Sequence, residues 1–201
     1  VELFSSHHSN LNRISSPRLW VANHVSWLDI LVIQAIHPCA FVAKSEVLHW
    51  PIWGDLAKAC GVIFVDRRCP LDTRCMVNQV ISTLNQGMCV AAFPEGTTSQ
   101  GQEVQVFHAN LFEAAIQPQI PVQPLALYYT DVLTRAWCPQ AAFIDDMSLV
   151  SSLHQVMKVG GIRAQVRMGT PLSAIGHSRR TLALLSHQSV SHHLRSLQQS
   201  N

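Results

Sequence analysis

Short apolar runs punctuate the chain at 19–22, 40–43, 62–65, 89–93, 122–128 and 162–168. Several are continuously apolar rather than alternating, which suits strands buried on both faces. Between them lie stretches with helical periodicity, at 25–36, 53–60, 72–85 and 109–116. Asp72 is placed to cap one of these helices and Gly87 to stop it. Strand and helix in alternation predict an α/β fold: a single domain with a mostly parallel central sheet flanked by helices. Residues 1–17 are polar, rich in Ser, His and Asn, and read as a loose lead-in. Past residue 130 the pattern weakens, leaving one helix over 148–159 ahead of the 162–168 strand. At the end, Leu182, Leu185, Leu194 and Leu197 with Arg179, Arg180 and Arg195 describe an amphipathic helix packed on the domain. The organisation expected is a lead-in at 1–17, a main domain at 18–172 and this helical segment at 173–201.

Composition narrows the classes. Of 201 residues 48% are hydrophobic and 13% charged, about half the usual charged share of ~25%. Such a chain hides apolar surface in a pocket or against a membrane. Fourteen basic and 12 acidic residues give a net charge of +2, with no basic block, which argues against nucleic acid. The six cysteines form no C-x-x-C pair; most fall in apolar segments and read as small core residues in a reducing compartment. No apolar run reaches the ~18 residues of a transmembrane helix. The chain opens on valine, which reads as a cut from something longer and leaves room for an upstream membrane anchor.

Against this background the stretch VANHVSWLDI, residues 21–30, places His24 and Asp29 in an otherwise apolar run. His24 falls where a strand gives way to a helix, the usual location of sites in open α/β sheets. Asp29, little more than one helical turn onward, is in reach of the imidazole and would fix its tautomer. Taken alone the pair is also what a satisfied core histidine looks like. Three other strand ends carry polar, Pro or Gly residues: ACGVIFVDRR at 59–68, VAAFPEGTTS at 90–99 and IPVQPLAL at 120–127. Each by itself reads as a turn, and Arg67 with Glu95 as a surface ion pair; together they have the layout of a site along one sheet edge.

These segments, in this order, resemble the glycerolipid acyltransferase family. Its N-H-x-x-x-x-D motif is matched by Asn23, His24 and Asp29. Gly61, Phe64 and Arg67 match G-x-x-F-x-x-R, Phe93 to Thr97 match F-P-E-G-T, and Pro121 to Leu127 match a proline-bounded apolar strand. The stretch AKSEVLHWPIWGDLAKACG is similar to the family's linker between its first two motifs. Two positions depart: Thr98 stands where the family commonly has arginine, and Phe107 is followed by His108 rather than lysine.

The resemblance implies transfer of a fatty acyl group from acyl carrier protein or coenzyme A to a lysolipid hydroxyl, with no further cofactor and no metal. The first expectation for the acceptor is 1-acylglycerol-3-phosphate; lyso-ornithine lipid is the alternative. His24 is expected as general base with Asp29 orienting it, and Lys44, Arg67, Glu95, Gly96, Thr97 and Thr98 as substrate-binding residues. Trp50 and Trp53, amid large apolar neighbours, suit a membrane–water interface, and attachment is expected at the cytoplasmic face of the inner membrane. A serine hydrolase is disfavoured because no G-x-S-x-G occurs. A non-catalytic lipid-binding module is disfavoured because both His24 and Asp29 are retained.

Overall fold

A computed structural model of the chain describes residues 2–5, 16–44, 63–65 and 72–200, with the backbone alone at 2–5, 43–44, 63–65 and 72. The strands are β1 (Glu2–Ser5), β2 (Leu19–Ala22), β3 (Cys39–Lys44), β4 (Ile63–Val65), β5 (Cys89–Ala92), β6 (Val122–Asp131) and β7 (Ile162–Met168). The helices are α1 (Leu28–Ile36), α2 (Asp72–Asn85), α3 (Glu113–Ile116), α4 (Leu149–Lys158) and α5 (Arg179–Gln199).

Among the described residues the strands form one sheet in the order β1-β7-β6-β2-β5-β3-β4. Every neighbouring pair is parallel except β6 with β7. The α/β class with a mostly parallel sheet is thus as the periodicity predicts. The continuous apolar runs sit where burial is two-sided: all four residues of β2 are fully buried, and all four of β5 are buried.

Side chains divide by strand parity. Leu19, Val21, Val90, Ala92, Val122 and Ala126 face one layer, with Val80 and Leu84 of α2 and Leu182, Val190 and Leu194 of α5. Trp20, Ala22, Ala91, Leu125, Leu127 and Tyr129 face the other, with Leu28, Val32 and Ile33 of α1 and Val156 of α4. The sheet is therefore covered on both sides, as parallel strands require. Because β2, β3, β4, β5 and β6 run the same way, Ala22, Lys44, Val65 and Ala92 all end at one edge.

Local signals set most boundaries. α2 closes in a Schellman motif: Gly87 has φ +85°, its N–H donates to Leu84 O at 3.0 Å and Met88 N–H to Thr83 O at 3.3 Å. Ser148 caps α4 by accepting from Ser151 N–H at 3.1 Å, and Ser178 caps α5 by accepting from Thr181 N–H at 3.2 Å.

Four elements differ from expectation. The 109–116 helix divides into a tight turn, Ala109–Phe112, and the short α3. β6 continues to Asp131 because β7 pairs with it over that whole length. Glu2–Ser5, in the stretch expected to be loose, pair with β7, whose outer edge offers an unpaired row of backbone donors and acceptors. α1 begins at Leu28 rather than residue 25, for a reason that lies in the site. The helix expected at 53–60 lies outside the described residues.

α5 presents Leu182, Ala183, Ser186, Val190, Leu194 and Leu197 inward, so it belongs to the core. Leu194→Ala should cost about 2–5 kcal/mol of stability, read as a lower urea midpoint. Leu184→Ala, at a position 57% exposed, should stay within about 0.5 kcal/mol of the parent. Equal effects of the two would contradict this packing.

Candidate active site

The loop after β2 opens with Asn23, fully buried. Its side-chain N–H donates to Leu127 O at 2.9 Å and its Oδ1 accepts from Leu127 N–H at 2.8 Å. The amide thus continues the bonding between β2 and β6 past the last backbone pair, Ala22 with Leu125. This leaves the chain free to turn while its first residue is anchored, and His24 comes next.

His24 Nδ1 lies 2.7 Å from Asp29 Oδ2. The same oxygen accepts the backbone N–H groups of Val25 at 2.7 Å and Ser26 at 3.0 Å. Oδ1 accepts the Tyr129 hydroxyl at 2.6 Å. The Val25 and Ser26 N–H groups have no acceptor within a helix, so the carboxylate satisfies them. The His24 and Val25 carbonyls that would open the helix accept instead from Ser99 N–H and Phe143 N–H, and α1 begins at Leu28. Asp29 is fully buried, and a carboxyl group that accepts on both oxygens is in the pattern of the ionised form. His24 Nδ1 therefore carries the proton and donates, leaving the Nε2 lone pair for a substrate. The ring stacks on Phe93 with centroids 3.9 Å apart and planes 7° apart, yet the side chain keeps 20% of its surface exposed. Burial holds the Tyr129 hydroxyl well above the ordinary phenol pKa, and the Asp29 charge acts in the same direction.

The loop after β5 is built against this pair. Phe93 O accepts from Gly96 N–H at 3.0 Å, closing a turn in which Gly96 takes φ +71°, a conformation glycine adopts without cost. Ser99 N–H donates to His24 O at 2.9 Å. Phe143 N–H donates to Val25 O at 2.9 Å, so the His24–Val25 backbone is held from two sides. Gly101 has φ +72°, and a Cβ there would lie 2.6 Å from Val25 Cγ2; only glycine lets the two loops approach so closely.

Glu95 is buried, and among the described residues neither carboxyl oxygen has a hydrogen-bond partner. Burial pushes its pKa up to about 8. The backbone N–H groups of Gln105 and His24, near but outside hydrogen-bond geometry, temper the rise, and the Asp29 charge adds to it. Glu95 is then mostly protonated at neutral pH while Asp29 is charged: two acids, separated in state by the donors each has.

The sheet edge thus brings together His24, Asp29, Glu95, Gly96, Thr97 and Thr98. Their individual positions differ from a simple binding row. Gly96 N–H is spent on the turn, Thr97 is exposed, and the Thr98 hydroxyl donates to Phe143 O. Arg67, Trp50 and Trp53 lie outside the described residues, as does the side chain of Lys44. Sequence reasoning missed Tyr129 and Ser99. For Tyr129 a signal existed: a phenol inside an apolar strand needs a partner for its O–H, and parity puts it on the face of Trp20 and Ala22.

Between pH about 4.5 and 8 the folded protein holds a proton on Glu95 that the unfolded chain has released. Stability should therefore fall as pH rises through that window, by at most about 1.4 kcal/mol per unit. Glu95→Gln should flatten this slope in urea unfolding run across the window; an unchanged slope would show that Glu95 is not the group responsible.

Comparison with known proteins agrees with the geometry. The family model described as Acyltransferase matches residues 4–128. A lyso-ornithine lipid O-acyltransferase of Pseudomonas aeruginosa is 37% identical over 87% of this chain and 66% of its own length. One of Rhizobium meliloti is 39% identical over 86% and 63%. A 1-acyl-sn-glycerol-3-phosphate acyltransferase of Neisseria gonorrhoeae is 35% identical over 74% and 57%. The chain thus spans no more than about two thirds of the length of these relatives. In fold it is similar to the crystal structure of the 1-acyl-sn-glycerophosphate acyltransferase PlsC from Thermotoga maritima, with a TM-score of 0.70 at 20% identity, covering 98% of this chain and 72% of that one. With the ordered motifs, the matching family model and the shared fold, the chain belongs to the acyltransferase family.

Proposed function

We propose that the protein is an O-acyltransferase that moves a fatty acyl group from a thioester of acyl carrier protein or coenzyme A to the hydroxyl of a lysolipid. The observation that carries this reading is the 2.7 Å contact between His24 Nδ1 and buried Asp29, which leaves Nε2 as an oriented base at the surface.

An alcohol is a weak nucleophile, so the first requirement is removal of its proton. His24 Nε2 takes that proton as the oxygen attacks the thioester carbonyl carbon, and the Asp29 carboxylate stabilises the imidazolium formed. The tetrahedral intermediate carries its negative charge on the former carbonyl oxygen. The first donors of the turn before α1 are committed to Asp29 and Gly96 N–H to Phe93 O. We assign the oxyanion contact to the Thr97 backbone N–H, a kind of donor worth about 3 kcal/mol. Collapse breaks the C–S bond, and the imidazolium returns its proton to the departing thiolate. Ester and free thiol leave, and His24 is neutral again; no cofactor beyond the donor substrate enters the balance.

Thr98 bears on the acceptor. The position where the family commonly carries arginine has no cation here, and its hydroxyl is tied to the Phe143 carbonyl. Without the fixed fork of a guanidinium, this position favours an acceptor lacking a phosphate, of the lyso-ornithine class named for two of the relatives. Acylation of 1-acylglycerol-3-phosphate is the second reading, favoured by the Neisseria relative and by Arg67 in the family's second motif.

Purified protein given acyl donor and a panel of lysolipids, with and without phosphate in the head group, should acylate at least one of them. His24→Ala should lower that rate by at least about 10²-fold. Activity unchanged by this substitution, or absent with every acceptor while lipid binding persists, would replace the enzyme by a lipid-binding module.

We also propose attachment to a membrane surface, at the cytoplasmic face of the inner membrane. No described helix is long and apolar enough to cross a bilayer. Instead Val150, Leu153 and Met157, 78%, 41% and 67% exposed, follow one another on the outer face of α4. That helix has no acidic residue and is joined to the active-site loop by the Trp27 Nε1–H bond to Ser152 Oγ at 3.0 Å. Serine at all three positions should reduce sedimentation with phospholipid vesicles and leave circular dichroism unaltered; undiminished sedimentation would move the contact elsewhere.

A further inference from the structure

Asp29 uses its two oxygens unequally. Oδ2 receives three donors, the His24 imidazole and the N–H groups of Val25 and Ser26. Oδ1 has one partner among the described residues, the hydroxyl of Tyr129, 100 positions away in sequence. Tyr129 is 2% exposed and stands on β6 among Trp20, Ala22, Leu125 and Leu127. β6 is an interior strand, paired with β2 on one side and β7 on the other. The phenol is therefore a rigid donor delivered from the middle of the sheet to the one carboxylate oxygen that the local turn does not hold.

The three donors on Oδ2 already set the plane of the carboxylate. The Tyr129 hydroxyl on Oδ1 is a second anchor, on the opposite side of the Cβ–Cγ axis, against a rotation that would carry Oδ2 and the imidazole with it. A donor on Oδ1 also draws negative charge away from Oδ2, the oxygen facing the imidazole. We propose that Tyr129 is a positioning residue for the acyl transfer, acting through Asp29 to fix the direction of His24 Nε2 and to moderate its basicity. The assignment rests on the acyltransferase reading for its kinetic consequence but not for its structural one. The titratable groups around the carboxylate are His24 from the same loop, Tyr129 from β6 and Glu95 from the loop after β5.

The sign of the effect follows. When Tyr129→Phe removes the donor, charge concentrates on Oδ2 and the imidazolium is favoured. The acid limb of the rate profile, below which His24 is protonated, should move to higher pH. Loss of a hydrogen bond to a buried charge should lower kcat about 10- to 100-fold, with KM little changed because Tyr129 touches no substrate.

The chain has two tyrosines, Tyr128 and Tyr129, so 3-fluorotyrosine incorporated into Tyr128→Phe protein reports on position 129 alone. The fluorinated phenol is a stronger acid and donor at nearly the same size. It should shift the acid limb to lower pH, opposite to Phe. In the free protein, the downfield proton resonance of His24 Nδ1–H should move in opposite directions in the two variants. In an Asp29→Asn background, Tyr129→Phe should have little further effect on kcat. A resonance and an acid limb unmoved by both changes, or a kcat loss just as large in the Asp29→Asn background, would reduce Tyr129 to a packing residue. A resonance that moves in protein lacking acyl transfer would sink the enzymatic reading and leave the coupling intact.

Discussion

A charged carboxylate taken out of water must be given back what water supplied, and Asp29 is given four donors for two oxygens. Those donors come from a histidine, a turn of backbone and a strand far away in sequence. Satisfying them dictates which way the His24 ring faces and how the loop after β2 lies against β6. The tertiary constraint and the chemical one are the same set of bonds. Removing any donor leaves a buried charge short of partners, which costs far more than the net gain of a hydrogen bond at the surface.

Around that centre the structure sorts two acids by environment. Asp29 meets donors at every turn and stays charged. Glu95, close by in the loop after β5, is buried without hydrogen-bonded partners and takes a proton instead. Two neighbouring negative charges in a low-dielectric setting would repel strongly; holding one neutral lets the loops pack. It also places a proton-bearing carboxyl beside the candidate base.

Much of this was legible in the residues themselves. Continuous apolar runs identified the two-sided burial of β2 and β5, and Gly87 marked the end of α2 to the residue. His24 and Asp29 were identified by their spacing, Glu95 and Gly96 by their place after a strand. What the chain could not display was contact at a distance. Nothing local to Tyr129 says that its hydroxyl ends on Asp29; that depends on β6 lying beside β2 in a particular register. Likewise, Thr98 reads as a free hydroxyl until Phe143 is brought beside it. The strand at Glu2–Ser5 was hidden for a related reason: an edge strand is held by backbone pairing, here with β7, and four residues are too few to display a period.

The close approach of Gly101 to Val25 bears on how the proposed acceptor preference of this scaffold is to be redesigned. A side chain at position 101 would press on Val25 in a strained left-handed conformation, and Gly96 has φ +71°, so the segment between them behaves as a staple whose two ends favour glycine. Thr97 and Gln100, which are exposed, are where contacts to the proposed head group are to be varied while the His24 contacts stay in place. Libraries that randomise the whole segment would spend most of their members on chains whose base is misaimed before any acceptor arrives.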